Sequence, residues 1–119
     1  MSKILVVDSD SQTRNLCKLI LEEMGHEVTA VNKSQQALTS CETNNFDLLI
    51  IDLDTDRPSR SKLFAGIQEQ GFTGRAIAIC GSGTEAKKIA SLKENGFSDV
   101  LVKVFDNQTL EKAVNEALA

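Results

Sequence analysis

Five short apolar runs limit what this chain can fold into. They are Ile4–Val7, Val28–Val31, Phe46–Leu53 with its core Leu48-Leu49-Ile50-Ile51, Ala76–Cys80 and Val100–Val102. Apart from Thr29 and the aspartates flanking Leu48–Ile51, their residues are apolar at successive positions rather than at alternate ones, so as strands they would be buried on both faces. Segments with apolar residues at helical spacing lie between them. The first helix has an Asp10-Ser11 cap and Leu16, Leu19, Ile20 and Met24 on its apolar face, and it stops at Gly25. Ser34 is the expected cap of a second helix carrying Ala37, Leu38 and Cys41. A third carries Leu63, Phe64 and Ile67 and closes near Gly71. Thr84 is the expected cap of a fourth with Ala86, Ile89, Ala90 and Leu92, stopped by Asn95-Gly96. Asp106 or Asn107 opens the last, with Leu110, Ala113, Val114, Ala117 and Leu118 inward. Strand and helix thus alternate five times, which implies an α/β fold with a parallel sheet covered on both faces. In such sheets ligands bind at the carboxyl ends of the strands.

Composition narrows the function classes. At 119 residues the chain fits one domain, residues 1–119. Its 13 Lys plus Arg against 17 Asp plus Glu give a net charge of −4. That balance, with no Trp, no Tyr and five Phe, argues against direct nucleic-acid binding. No apolar run approaches the ~20 residues of a membrane helix. Ile4–Val7 after Met1-Ser2-Lys3 is too short for a secretion signal. Cys17, Cys41 and Cys80 are odd in number and unpaired in sequence, so free thiols and a cytoplasmic location are expected. The single histidine, His26, falls in a helix-to-strand connection and is expected to be structural.

The strand ends then indicate the chemistry. Asp8 ends the first strand, Asp52 the third and Lys103 the fifth. Three ionisable groups at one sheet edge are poor core residues, because buried charge is costly unless paired. Two carboxylates and an ammonium suit a hard cation, a phosphoryl group, or simply each other as a structural ion cluster.

The set Val6-Val7-Asp8, Leu48-Leu49-Ile50-Ile51-Asp52 and Val102-Lys103-Val104-Phe105 resembles the receiver domain of bacterial response regulators, the CheY-like family, over essentially the whole chain. The resemblance implies a flavodoxin-like (βα)5 three-layer sandwich with strands in the order 2-1-3-4-5. It places Asp52 at the aspartate that takes a phosphoryl group from a histidine kinase or phosphotransfer protein. Asp8, Asp52 and the backbone carbonyl of Asp54 fall on the Mg²⁺ ligands, and Lys103 on the lysine that contacts the phosphoryl oxygens. It also implies a non-enzymatic module in two-component or phosphorelay signalling. The effector would be met through the face made by the fourth helix, fifth strand and fifth helix.

Several positions depart from the family pattern. Ser9 stands where the second acid supplies a metal ligand, and its neutral hydroxyl predicts weak Mg²⁺ binding. Asp10 is adjacent, but capping the first helix would point it elsewhere. Cys80 replaces the hydroxyl residue after the fourth strand, and a thiol is a weak donor to a phosphoryl oxygen. Val100 replaces the switch aromatic. Val104 replaces the proline after the lysine, so a trans bond is expected there. Asp56 and Arg60 stand where the loop after Asp52 usually carries proline and glycine, with Pro58 displaced. The expectation is a degenerate receiver with weakened Mg²⁺ and phosphoryl binding; the alternative is a phosphorylation-independent interaction module.

Weaker signals fail on context. Asp52-Leu53-Asp54-Thr55 begins a phosphatase-like motif, but the fifth position is Asp56 and the fold needs more chain. As a Ca²⁺ loop, the same stretch has Arg57 where glycine is required and Leu63 where the closing glutamate belongs. Gly81-Ser82-Gly83-Thr84-Glu85-Ala86 fits a dinucleotide fingerprint, yet one strand–helix unit follows, too little for a nucleotide-binding half. Arg57, Arg60 and Lys62 read as a solvated basic helix start, and Cys80 as a buried small apolar residue.

Overall fold

The computed structural model describes residues 1–54 and 58–119. The five apolar runs become β1 (Lys3–Val7), β2 (Glu27–Val31), β3 (Leu48–Asp52), β4 (Arg75–Cys80) and β5 (Asp99–Val102). All neighbours pair in parallel, in the order β2-β1-β3-β4-β5. The helices are α1 (Ser11–Glu23), α2 (Ser34–Thr43), α3 (Pro58–Ser61), α4 (Leu63–Glu69), α5 (Ala86–Glu94) and α6 (Asn107–Leu118). The expected third helix is thus α4, preceded by the short α3.

Alternation along each strand divides the core in two. Ile4, Val6, Leu48, Ile50, Ile77 and Ile79 point to one face, where Cys17, Ile20 and Leu21 of α1 and Leu110, Ala113 and Val114 of α6 cover them. Leu5, Val7, Leu49, Ile51, Ala76 and Ala78 point to the other, against Ala37, Leu63, Phe64, Ile67 and Leu92. The result is the three-layer flavodoxin-like sandwich. Its central strand β3 is buried at every position, Asp52 included.

The capping chemistry came out as expected at two ends and not at two others. Asp10 caps α1 by accepting from the amides of Gln12 and Thr13, and Asp106 caps α6 by accepting from Thr109. Gly25 and Gly71 follow α1 and α4 at φ of 92° and 101°, where a side chain would be strained. Ser34 is not a cap. It is the first residue of α2, is buried, and follows Lys33, which makes no side-chain cap bond. Nor does Thr84 cap α5: its hydroxyl donates to the Gly81 carbonyl at 2.8 Å, and Glu85 takes the cap position without a side-chain bond. For Thr84 a nearer backbone carbonyl claims the hydroxyl, and for Ser34 the helix begins at the residue itself rather than after it.

The inward face of α1 also differs. Cys17, Ile20 and Leu21 are buried, while Leu16 and Leu19 are exposed. Ala86 and Ala90 of α5 face solvent, and Leu92 is its one fully buried residue. His26 is structural: its Nδ1 accepts from the Ser2 amide at 3.1 Å, tying the chain start to the turn before β2.

Candidate functional site

The carboxyl ends of β1, β3 and β5 bring Asp8, Asp52 and Lys103 together. β1 lies beside β3, so Val7 pairs with Ile51 and the next residue of each strand, Asp8 and Asp52, emerges side by side. β5 lies one strand further over, beyond β4, and the Lys103 side chain spans that gap. Its Nζ sits 3.5 Å from Asp8 Oδ1 and 3.6 Å from Asp52 Oδ2. Its backbone N–H donates to the Cys80 carbonyl at 2.8 Å, fixing the stem from the β4 side.

The two carboxylates are almost out of water, Asp8 at 0% and Asp52 at 1% exposure. Each accepts from an amide two residues on. Asp10 N donates to Asp8 Oδ1 at 2.9 Å, and Asp54 N to Asp52 Oδ1 at 2.8 Å. Asp8 Oδ2 is buried without a hydrogen-bond partner among the described residues. Burial, then the neighbouring Asp52 carboxyl, pushes the Asp8 carboxyl up to about 6. For Lys103, burial opposes the charge, but the pull of Asp52 and Asp8 overcomes it and holds the ammonium above its ordinary range. The Lys103 cation is therefore the fixed charge, and Asp8 is the group whose proton is in play.

The altered positions surround this cluster. Cys80 is 4% exposed, and burial raises its thiol pKa, as expected of a small core residue. Val100 is half-buried against the β4 side of the core, and Val104 is 99% exposed. Gly81 permits a close approach, since a Cβ there would lie 2.5 Å from Asp54 Oδ1. Asp10 points away into its cap, as expected, and its lowered pKa follows from the Thr13 hydroxyl bond.

Two expectations are corrected here. The Lys103–Val104 peptide bond is cis, not trans. The trans expectation weighed the isolated amide alone, whereas Lys103 is held by the Cys80 carbonyl on one side and two carboxylates on the other. Arg60 is not part of a solvated patch. It is 2% exposed, and its Nη2 donates to Ser9 Oγ at 2.9 Å and to the Asn32 carbonyl at 3.1 Å. A guanidinium this far from water is tolerated because fixed acceptors on two other loops meet it. Arg57 and Asp56 lie outside the described residues. Arg14 is a second arginine that sequence reasoning missed, donating from Nη1 to the Asp8 carbonyl at 2.8 Å.

Parallel topology, paired aspartates at neighbouring strand ends and a lysine reaching both make one charged cluster at the carboxyl edge of the sheet. The pattern of the response regulator receiver domain matches residues 4–115. The chain belongs to that family. It is similar to the CAI-1 autoinducer sensor kinase/phosphatase CqsS of Vibrio cholerae, 27% identical over 110 residues that make 91% of this chain and 16% of that protein. An uncharacterised 14.6 kDa protein of Leptolyngbya boryana is 33% identical over 115 residues, 95% of this chain and 87% of that one. Among solved structures, the Vibrio cholerae chemotaxis protein CheY4 superposes with a TM-score of 0.87 at 25% identity, covering 99% of each chain. The chain therefore spans a small part of the kinase it resembles and most of the small protein.

Receiver domains typically bind Mg²⁺, and the donors here fit such an ion on one side. Two adjacent carboxylates, one with a buried, unpartnered oxygen, make a hard, anionic oxygen site. Asp54, whose carbonyl would be a further ligand, sits on the turn locked by its amide bond to Asp52. On the other side the second acid is absent, and the Ser9 hydroxyl already accepts from Arg60.

Proposed function

We propose that this receiver accepts a phosphoryl group on Asp52 from a phosphohistidine of a sensor kinase or phosphotransfer protein, slowly and with weak Mg²⁺ support. The observation that supports this is the Lys103 ammonium within 3.6 Å of both carboxylates. An Asp52 carboxylate oxygen attacks phosphorus, the P–N bond to the donor imidazole breaks, and the electron pair returns to that nitrogen. Lys103 is placed to meet the charge that the new acyl phosphate adds, and the Asp54 amide orients Asp52. Bound Mg²⁺, held by Asp8, Asp52 and the Asp54 carbonyl, would supply further charge neutralisation. Cys80 gives the phosphoryl oxygens a weaker donor than a hydroxyl, which limits how firmly the modified state is held. The domain passes the change to an effector through α5, β5 and α6, acting as a switch rather than an enzyme.

Incubation with acetyl phosphate and Mg²⁺, followed by intact mass measurement, tests the reading. Slow, partial gain of one phosphoryl group, absent in Asp52→Ala, is the expected result. The near-complete burial of Asp52 and Asp8 favours a second reading, an interaction module that works unphosphorylated. No mass gain after prolonged incubation would select it over the first.

A further inference from the structure

Arg60 ties α3 to the ends of both β1 and β2. Its Nη2 bonds the Ser9 hydroxyl, next to Asp8, and the Asn32 carbonyl, next to the end of β2. Ser9 stands at the position where the family has a second acid. An ion bound there would need to lie about 2.1 Å from an oxygen donor. That oxygen is within hydrogen-bond distance of a guanidinium that is itself 2% exposed. Ion and guanidinium would be close like charges, and the arginine would have to leave two acceptors in a buried setting.

We propose that Arg60 is a resident cation that opposes divalent-ion binding at this site, excluding the ion from the Ser9 corner. The serine and the arginine then form one unit. The neutral Ser9 hydroxyl accepts from the guanidinium, whereas a carboxylate there would attract either the arginine or the metal. This goes beyond the weakening expected from Ser9 alone, since a poor ligand only lowers affinity while a seated cation opposes binding. It rests on the receiver reading for the location of the ion site, not on whether Asp52 is phosphorylated.

Direct Mn²⁺ titration by calorimetry on the full chain tests it, with folding checked by circular dichroism and no phosphodonor present. Arg60→Met keeps the apolar stem and removes the charge. It is expected to bind Mn²⁺ about tenfold or more tightly than the wild type, within the range that groups around a metal site command. A folded Arg60→Met protein with unchanged or weaker binding overturns the proposal. Ser9→Asp decides the matter if Arg60→Met does not fold. With Arg60 present the new carboxylate is captured by the guanidinium, and affinity is expected to rise by less than tenfold. A hundredfold gain from Ser9→Asp alone would show that Arg60 excludes nothing. Because Mn²⁺ binding and phosphoryl mass gain are separate measurements, failure of one does not imply failure of the other.

Discussion

Asp8 is the side chain on which the stability of the site turns. It has no exposure, one oxygen without a partner among the described residues and a second carboxylate beside it, offset by the Asp10 amide and by Lys103. Its pKa rises from 3.8 to about 6 through burial and Asp52. The unfolded chain gives up this proton near pH 4 and the folded chain near pH 6. Between those values the folded state holds more protons, so stability falls as pH rises and stays reduced above pH 6. Asp8→Asn removes the charge that causes the fall. In metal-free buffer with chelator, thermal melts should show Asp8→Asn more stable than the wild type at pH 8, by about 1 to 3 kcal/mol. The two proteins should converge towards pH 4. A variant less stable than the wild type at pH 8 would mean that Asp8 is better compensated than its neighbours allow. Asp8, Asp52 and Lys103 were legible in the sequence because parallel strands put their last residues on one rim. Arg60 was not. Nothing in composition separates an arginine that packs inward from one in water, and the two departures that meet in space, Ser9 and Arg60, stand 51 positions apart.

At the level of elements, β1, β3 and β4 were readable because apolar runs buried at nearly every position leave few alternatives to a covered parallel sheet, whereas the edge strand β2, with Thr29 and no buried residue, was legible chiefly from its place in the alternation. The facing of α1 was not. Leucines at 16 and 19 and Ile20 offered one stripe; Cys17, Ile20 and Leu21 offered another, turned by roughly a residue. Hydropathy favours leucine over cysteine, yet the packing places Cys17 at 0% and Leu19 at 55% exposure. Cys17 packs in the buried cluster with Ile4 and Val6 of β1, and burial pushes its thiol up to about 12, an inert core group. The contrast is measurable by chemical denaturation. Leu21→Ala should cost about 2 to 5 kcal/mol, as for a buried leucine. Leu19→Ala should stay within about 0.5 kcal/mol of the wild type. Equal effects would put the helix in the orientation the leucine spacing suggests. The caps divided likewise: Asp10 and Asp106 kept theirs, while Ser34 became the first residue of its helix and Thr84 gave its hydroxyl to the Gly81 carbonyl.

Across the whole molecule, the two faces of the sheet are both well packed, but the helices that cover them are unequally secured. α1 and α6 each seal their face with three buried residues, whereas α5 contributes Leu92 alone, with Ile89 half-buried and Ala86 and Ala90 in solvent. α5 also lacks a side-chain N-cap and packs beside β5, an edge strand. Local opening costs least where few apolar contacts must break, so α5 should open well below the free energy of global unfolding. The β4–α5 turn, with Cys80 and Gly81, leads from the acid cluster straight into this thinly packed helix. A change of charge at Asp52 therefore meets a segment that can respond, while α1 and the central strands hold the frame. Hydrogen exchange read by mass spectrometry should find the amides of residues 86–94 exchanging much faster than those of residues 14–23, and β1 and β3 slowest of all. Protection of α5 equal to that of α1 would remove the physical basis for placing the switch there, because a helix held that firmly could not report a change at the rim.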